Sequence, residues 1–172
     1  LERLILLLNK KKIFLTLLII ILLTPVIQAA DFESPEKFTE HIYDNYAAEN
    51  FEEVYANFAA ELKRIMSEED YLKFQQQNFR KYELEFTKIE VSAAEEIDFK
   101  KIEEKFSYAE DFGSYYQLQV SYLLKFNRFG SREEKSEKKV FLRKIRDDFQ
   151  IFWDYESALN DDEAADRNVQ DE

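Results

Sequence analysis

The sequence predicts an α+β domain in which N-terminal helices pack on a curved, cone-like antiparallel sheet, following an N-terminal signal peptide. Three observations carry this. Between residues 34 and 79 apolar residues recur at spacings of three and four. Beyond residue 84 they alternate. The two patterns are segregated along the chain, helices first and strands after, which is the α+β order.

Ser34-Pro35-Glu36 opens the first helix, Ser34 as cap and Pro35 where a missing N–H does no harm. Phe38, Ile42 and Tyr46 follow on one face. Asn50, with Glu53 three residues on, is expected to cap a second helix. Its buried face runs through Phe51, Val54, Tyr55, Phe58, Leu62, Ile65 and Met66. Ser67-Glu68-Glu69-Asp70 begins a third helix, with Leu72, Phe74 and Phe79 for burial.

After Tyr82 the period changes. Leu84 and Phe86, then Ile89 and Val91, read as a strand with a slip or bulge near Lys88. A short strand is expected at residues 106–109, and Gly113 interrupts the chain. Tyr116, Leu118, Val120, Tyr122, Leu124 and Phe126 alternate with their neighbours, the clearest strand in the sequence. Residues 127–137 read as a charged loop, 139–145 as a strand, Arg146-Asp147-Asp148 as a tight turn, and Phe149, Ile151, Trp153 and Tyr155 as the last strand.

The first thirty residues differ in kind from the rest. Lys10, Lys11 and Lys12 precede an apolar run from Ile13 to Leu23 broken only by Thr16; Pro25 ends it, and Gln28-Ala29-Ala30 precede Asp31. This is the layout of a cleavable export signal, residues 1–29, and it is shorter than the roughly 20 apolar residues of a spanning helix. Residues 1–7 fit such a signal poorly, so the initiator is expected at Leu8. The expected organisation is therefore a signal peptide at 1–29, one domain at 31–156 and an acidic disordered tail at 157–172. The mature protein is expected outside the cytoplasm, secreted or periplasmic, with no stable membrane span after cleavage. Export without cysteine is read most economically as bacterial.

Formal charge is −12 for the whole chain; residues 1–29 contribute a net +3, leaving −15 for the remainder. That charge argues against nucleic acid or an anionic membrane as partner, because phosphate binding needs clustered cations. Arg128, Arg132, Lys135, Lys138 and Lys139 form the one basic cluster, diluted by Glu133, Glu134 and Glu137. With no Cys and a single His, no zinc site of the ordinary kind and no Cys nucleophile can be built. Two glycines exclude phosphate-cradling loops and a nucleophile elbow. The acidic residues 160–166 lack the spacing and central Gly of a calcium loop. No cofactor and no metal are expected.

The run Asn50-Phe51-Glu52-Glu53-Val54-Tyr55-Ala56-Asn57-Phe58, continuing through Leu62 to Ser67-Glu68-Glu69-Asp70-Tyr71-Leu72, resembles the opening helices of nuclear transport factor 2-like domains of the cystatin-like superfamily. Val140-Phe141-Leu142 through Asp147-Asp148-Phe149-Gln150-Ile151-Phe152 is similar to their closing hairpin. Family members commonly carry a Gly after the third helix; this chain has Lys81-Tyr82 there. The resemblance implies a cone-shaped sheet with a cavity against the helices. That cavity holds an acid/base group in enzymes of the superfamily and is a binding surface or plain core in many exported members.

If a pocket exists, His41, Tyr116, Tyr122, Trp153 and Tyr155 are its candidate lining. His41 has the intrinsic pKa of a general base, but no carboxylate or nucleophile motif accompanies it, and a boundary histidine is the plainer reading. The aromatics with polar tips suit an amphipathic ligand, although core filling is the plainer reading in a chain with 10 Tyr and 16 Phe. No residue is assigned as catalytic. The expected function is an exported, non-catalytic binding or accessory module for an unidentified ligand or protein partner. One alternative is an isomerase- or dehydratase-like enzyme of the same superfamily using His41 and a pocket tyrosine. The other is a structural envelope protein dimerising through the outer sheet face, where Tyr115 and Leu123 point.

Overall fold

The computed structural model describes residues 32–128, 130–156 and 158. The expected export segment and the acidic tail, Ala158 apart, lie outside the described residues. Among the described residues no helix is long and apolar enough to cross a membrane.

The architecture is α+β. Helices α1 (Pro35–Ala47), α2 (Phe51–Ala56), α3 (Ala60–Ile65) and α4 (Glu68–Tyr82) precede strands β1 (Leu84–Val91) and β2 (Glu95–Ile97). A short helix α5 (Phe99–Glu103) then leads to β3 (Ser114–Phe126), β4 (Arg132–Ile145) and β5 (Asp148–Phe152). The strands form one open antiparallel sheet in the order β1-β3-β4-β5, with β2 also paired to β3.

Capping follows the sequence at two helices. The Ser34 hydroxyl accepts the Lys37 N–H and Pro35 occupies the first turn of α1; the Ser67 hydroxyl accepts the Asp70 N–H at α4. Asn50 does not cap α2 with its side chain. It donates instead to Asn45 Oδ1 at 2.8 Å, tying α2 back to α1. The single helical face expected from Phe51 to Met66 is cut at residues 57–59, which bridge to β5: Ile151 N–H donates to Asn57 O at 2.9 Å and Ala59 N–H to Ile151 O at 3.0 Å. This seals one sheet edge. The break also turns α3, so Glu61 and Leu62 are buried and Ile65 is 49% exposed. On α4 the fully buried positions are Tyr71, Gln75 and Phe79, while Leu72 and Phe74 are half-buried. Glu83 adopts φ 48° at the end of α4.

The slip near Lys88 is a β-bulge. The β1–β3 register shifts between Thr87 and Glu90, and Lys88 sits at φ 53°. Three expectations are corrected. Residues 106–109 are turn, not strand; the segment is anchored by Phe106 rather than by ladder hydrogen bonds, and the strand pairing with β3 is the three-residue β2. The expected loop 127–137 is strand from Arg132, because every residue to Ser136 pairs with β3 and cross-strand charges compensate, as in Lys125 with Glu133 (3.7 Å) and Glu85 (3.5 Å). The last strand stops at Phe152, so neither Trp153 nor Tyr155 belongs to it.

Burial along β4 explains the two-sided core. Val140, Phe141, Leu142 and Arg143 are all buried in succession, which a strand covered on both faces requires. Val140 and Leu142 face the helices with Leu118, Val120, Phe149 and Ile151. Phe141 faces the other way, with Phe106, Tyr115, Phe152, Ile102 and Ala59 in a smaller cluster.

Candidate functional site

The five candidates do not converge on one site. His41, on the half-exposed flank of α1, joins α1 to α2. Its Nε2 lies 3.1 Å from Glu53 Oε1, Asn45 Nδ2 is 3.4 Å from Nδ1, and the Phe32 ring is 4.9 Å away. The tautomer with the proton on Nε2 satisfies both polar contacts. Glu53 Oε1 also accepts from Asn57 Nδ2 at 3.2 Å. This is a polar clasp in which both polar partners of the imidazole, Asn45 and Glu53, are held by α1 and α2.

Tyr122 is buried between Phe86 (5.0 Å between ring centroids) and Tyr43 (6.1 Å), and its hydroxyl is hydrogen-bonded to Ser136, its register partner on β4. Burial pushes the Tyr122 hydroxyl above the usual phenol range. Tyr116 is half-buried against Phe149 at 6.3 Å. Trp153 stacks on Phe58 at 5.9 Å and meets Tyr71 edge-on at 5.4 Å. Tyr155 lies outside that group, its ring 6.0 Å from Tyr108 and its hydroxyl donating to Glu156 at 3.1 Å. Tyr122 and Trp153 thus belong to two groups of packed rings in one core, Tyr122 with Tyr43, Phe86 and Tyr46, and Trp153 with Phe58, Tyr71 and Phe74.

Within that core the polar tips satisfy one another. Tyr46 Oη donates to Gln75 Oε1 at 2.8 Å, and the Gln75 side chain also bonds Tyr71. Burial holds the Tyr43, Tyr46 and Tyr71 hydroxyls well above the usual range, so they stay neutral donors at any physiological pH.

Sequence reasoning missed the one buried ion pair among the described residues. Arg143 (β4) is fully buried and Glu61 (α3) is 2% exposed. Arg143 Nη1 donates to Glu61 Oε1 at 2.5 Å and Nη2 to Oε2 at 2.7 Å; Nη2 also donates to Gln150 Oε1 at 2.6 Å. The Phe112 ring lies 3.8 Å from the guanidinium carbon. Burial alone would raise the Glu61 carboxyl, but the Arg143 hydrogen bonds and charge, with backbone N–H donors, bring it below the usual range. The available signal was Arg143 itself, a cation in the alternating strand 139–145.

The outer sheet face is covered in part by the small apolar cluster around Phe106. Tyr115, one residue expected there, is buried under residues 106–112, and Leu123 is half-buried between register partners Thr87 and Lys135. In the basic cluster Arg132 pairs with Glu134 and Lys135 with Glu137. A depression of about 240 Å³ lies at its base, lined by Tyr82, Phe126, Arg128, Gly130 and Arg132. No group of three or more His, Cys, Asp or Glu among the described residues could hold a metal ion.

No protein-family model and no curated protein matches the sequence. Among solved structures the chain is similar to the solution structure of a SEC-C motif containing protein from Rhodopseudomonas palustris. The identity is 16% and the TM-score 0.43, over 70% of this chain and 76% of that one.

Proposed function

We propose that the protein is an exported, non-catalytic binding or accessory module of the nuclear transport factor 2-like type, working through a protein partner rather than a small ligand. The observation that carries this reading is the mutual satisfaction of its interior polar groups. Tyr46 donates to the buried Gln75 side chain, and the one buried carboxylate among the described residues is neutralised by Arg143. An isomerase-like site needs the reverse, a carboxylate or histidine beside tyrosines with free hydroxyls. His41 makes its contacts with Phe32, Asn45 and Glu53, and none of Tyr116, Tyr122, Trp153 or Tyr155 is among them. The order of helices before an antiparallel meander, ending in a tight turn and an aromatic strand, supports the family reading. Export rests on the pattern of residues 10–30.

The test is native mass spectrometry of the protein isolated from its host. The expected species begins at Ala30 or Asp31, comes from the extracytoplasmic fraction and carries no small mass. A stoichiometric small-molecule adduct would overturn the partner reading, and an intact N-terminus in a cytoplasmic fraction would overturn export.

A further inference from the structure

Between β2 and β3 the chain leaves the sheet, and residues 98–113 cross its outer face. Three attachments stand beside the buried Ile102 side chain, the Phe99–Tyr115 ring contact (5.4 Å) and the Phe112 N–H donated to the Tyr115 hydroxyl (2.7 Å). Phe106 inserts between Phe141 and Phe152, with ring centroids 5.5 and 5.4 Å away. The Tyr108 hydroxyl donates to Trp153 O at 2.8 Å and accepts from Trp153 N at 3.1 Å. The third is Glu110, whose main chain is bound at both ends by the buried ion pair: its N–H donates to Glu61 Oε1 (3.2 Å) and its carbonyl accepts from Arg143 Nη1 (3.3 Å).

We propose that residues 98–113 form a strap, latched by the Glu61–Arg143 pair, which lifts from the outer sheet face as one unit when Glu61 loses its charge. Neither latch residue belongs to the strap, so the latch can be removed without altering what it holds. A guanidinium does not give up its proton in proteins. With Glu61 neutral, a guanidinium would remain buried without a counter-charge, with its Nε already lacking a partner among the described residues. Water is its cheapest remedy. The Phe112 ring covers that guanidinium and is itself 40% exposed. The helix-side core lies across the sheet, and of the strap's side chains Tyr108 alone also packs against it.

Other charges face the strap but are poor substitutes for the latch. Arg64 of α3 pairs with the Glu110 carboxylate at the surface, and Lys105 with Asp154 at 3.5 Å. Asp111 lies 3.2 Å from the Tyr115 hydroxyl of β3, and Gln150 of β5 is neutral. The carboxylates of Glu110 and Asp111 are exposed and Asp154 is partly so, so solvent screens what their protonation would change.

Hydrogen exchange read by mass spectrometry on the protein as isolated tests this. Glu61→Gln should speed exchange of strap amides, Glu110 and Phe112 among them, by roughly 100-fold at neutral pH. Peptides of α1, α4 and central β3 should keep wild-type protection. The wild type should show the same pattern when acidified below the carboxylate range, and the double variant Glu61→Leu/Arg143→Met should lose that acid response. Unchanged strap protection in Glu61→Gln overturns the proposal, and so does exchange that rises equally in the helices. If Glu61→Gln does not fold, the acid series on the wild type decides: strap-first opening supports the latch, and concerted opening of the domain refutes it.

Discussion

On the helix side of the sheet, Phe38, Phe58, Tyr71, Phe79 and Tyr122 fill the space with rings, and the polar atoms among them are neutral. The outer side is closed by a much smaller apolar group around Phe106, organised about a charged pair. The neutral lattice gains from every buried ring and tolerates small losses by local repacking. The ionic side has a sharper dependence, because a buried pair is close to neutral when intact and strongly unfavourable when one partner is missing.

The largest expected contrast is between two phenylalanines. Phe38, fully buried and 5.5 Å from Phe149 by ring centroid, belongs to the side where the larger core sits. Phe38→Ala should lower the unfolding free energy by about 3–5 kcal/mol in urea titrations. Phe106→Ala removes the same chemistry from the outer side but should lose clearly less, because the strap can open locally and let the remainder persist. Equal losses would mean that the two faces are one cooperative unit.

That difference marks what could be read in advance. The helix side was legible because its elements carry periodic apolar residues and fixed punctuation: Ser34-Pro35, Ser67, and the alternation from Tyr116 to Phe126. Even the bulge at Lys88 appeared as a break in period. The outer side was not legible. Phe106 and Ala109 mimic a strand pattern, yet their segment is held by side chains reaching across the fold, at sequence separations no local window spans. The strand character of 132–138 was hidden because its residues are charged, and only pairing with β3 reveals that the charges compensate. Tyr122 and Trp153, named as candidate pocket lining, pack against Tyr43 and Tyr71, which come from helices whose spacing showed a face and not what the face would meet.

The two glycines sharpen the same contrast at the backbone. Gly113, where the strap joins β3, has φ +97°, and a Cβ there would lie 2.4 Å from Lys144 O, a backbone atom that cannot step aside. Gly130, at the β3–β4 tip, has nearly the same φ, +96°, with nothing within 4 Å of an added Cβ. Gly113→Ala should lower stability by about 2 kcal/mol or more, from strain plus clash. Gly130→Ala should lose roughly 1 kcal/mol from conformation alone. Thermal unfolding of the pair separates the close approach of strap to β4 from the conformational term they share.

Acid should distinguish the faces next. The Glu61 carboxyl titrates below its unfolded value, so its stabilisation is fully present above the ordinary carboxylate pKa of about 4.3 and is lost as pH falls through the lower folded value. The urea midpoint of the wild type should therefore drop across that window, and Glu61→Gln should flatten the drop while starting from a lower plateau. Glu36 contributes in the same direction, its carboxylate lowered chiefly by the Ala94 N–H at 2.8 Å, so Glu61→Gln should leave a residual slope.

A smaller effect than in the ring-packed core should come from the neutral network, and it bears most directly on function. Tyr46→Phe removes one hydroxyl and leaves Gln75 Oε1, on a side chain only 3% exposed, without that donor. The expected loss is about 1–2 kcal/mol, the range for a buried acceptor left unpaired. In contrast to Glu61→Gln, it should be independent of pH through the acid window, since no charge is involved. If the hydroxyl served a ligand instead of Gln75, the substitution would leave stability nearly unchanged and alter binding alone. A stability loss without pH dependence would place Tyr46 and Gln75 in the structural lattice, leaving the partner to be sought on the surface.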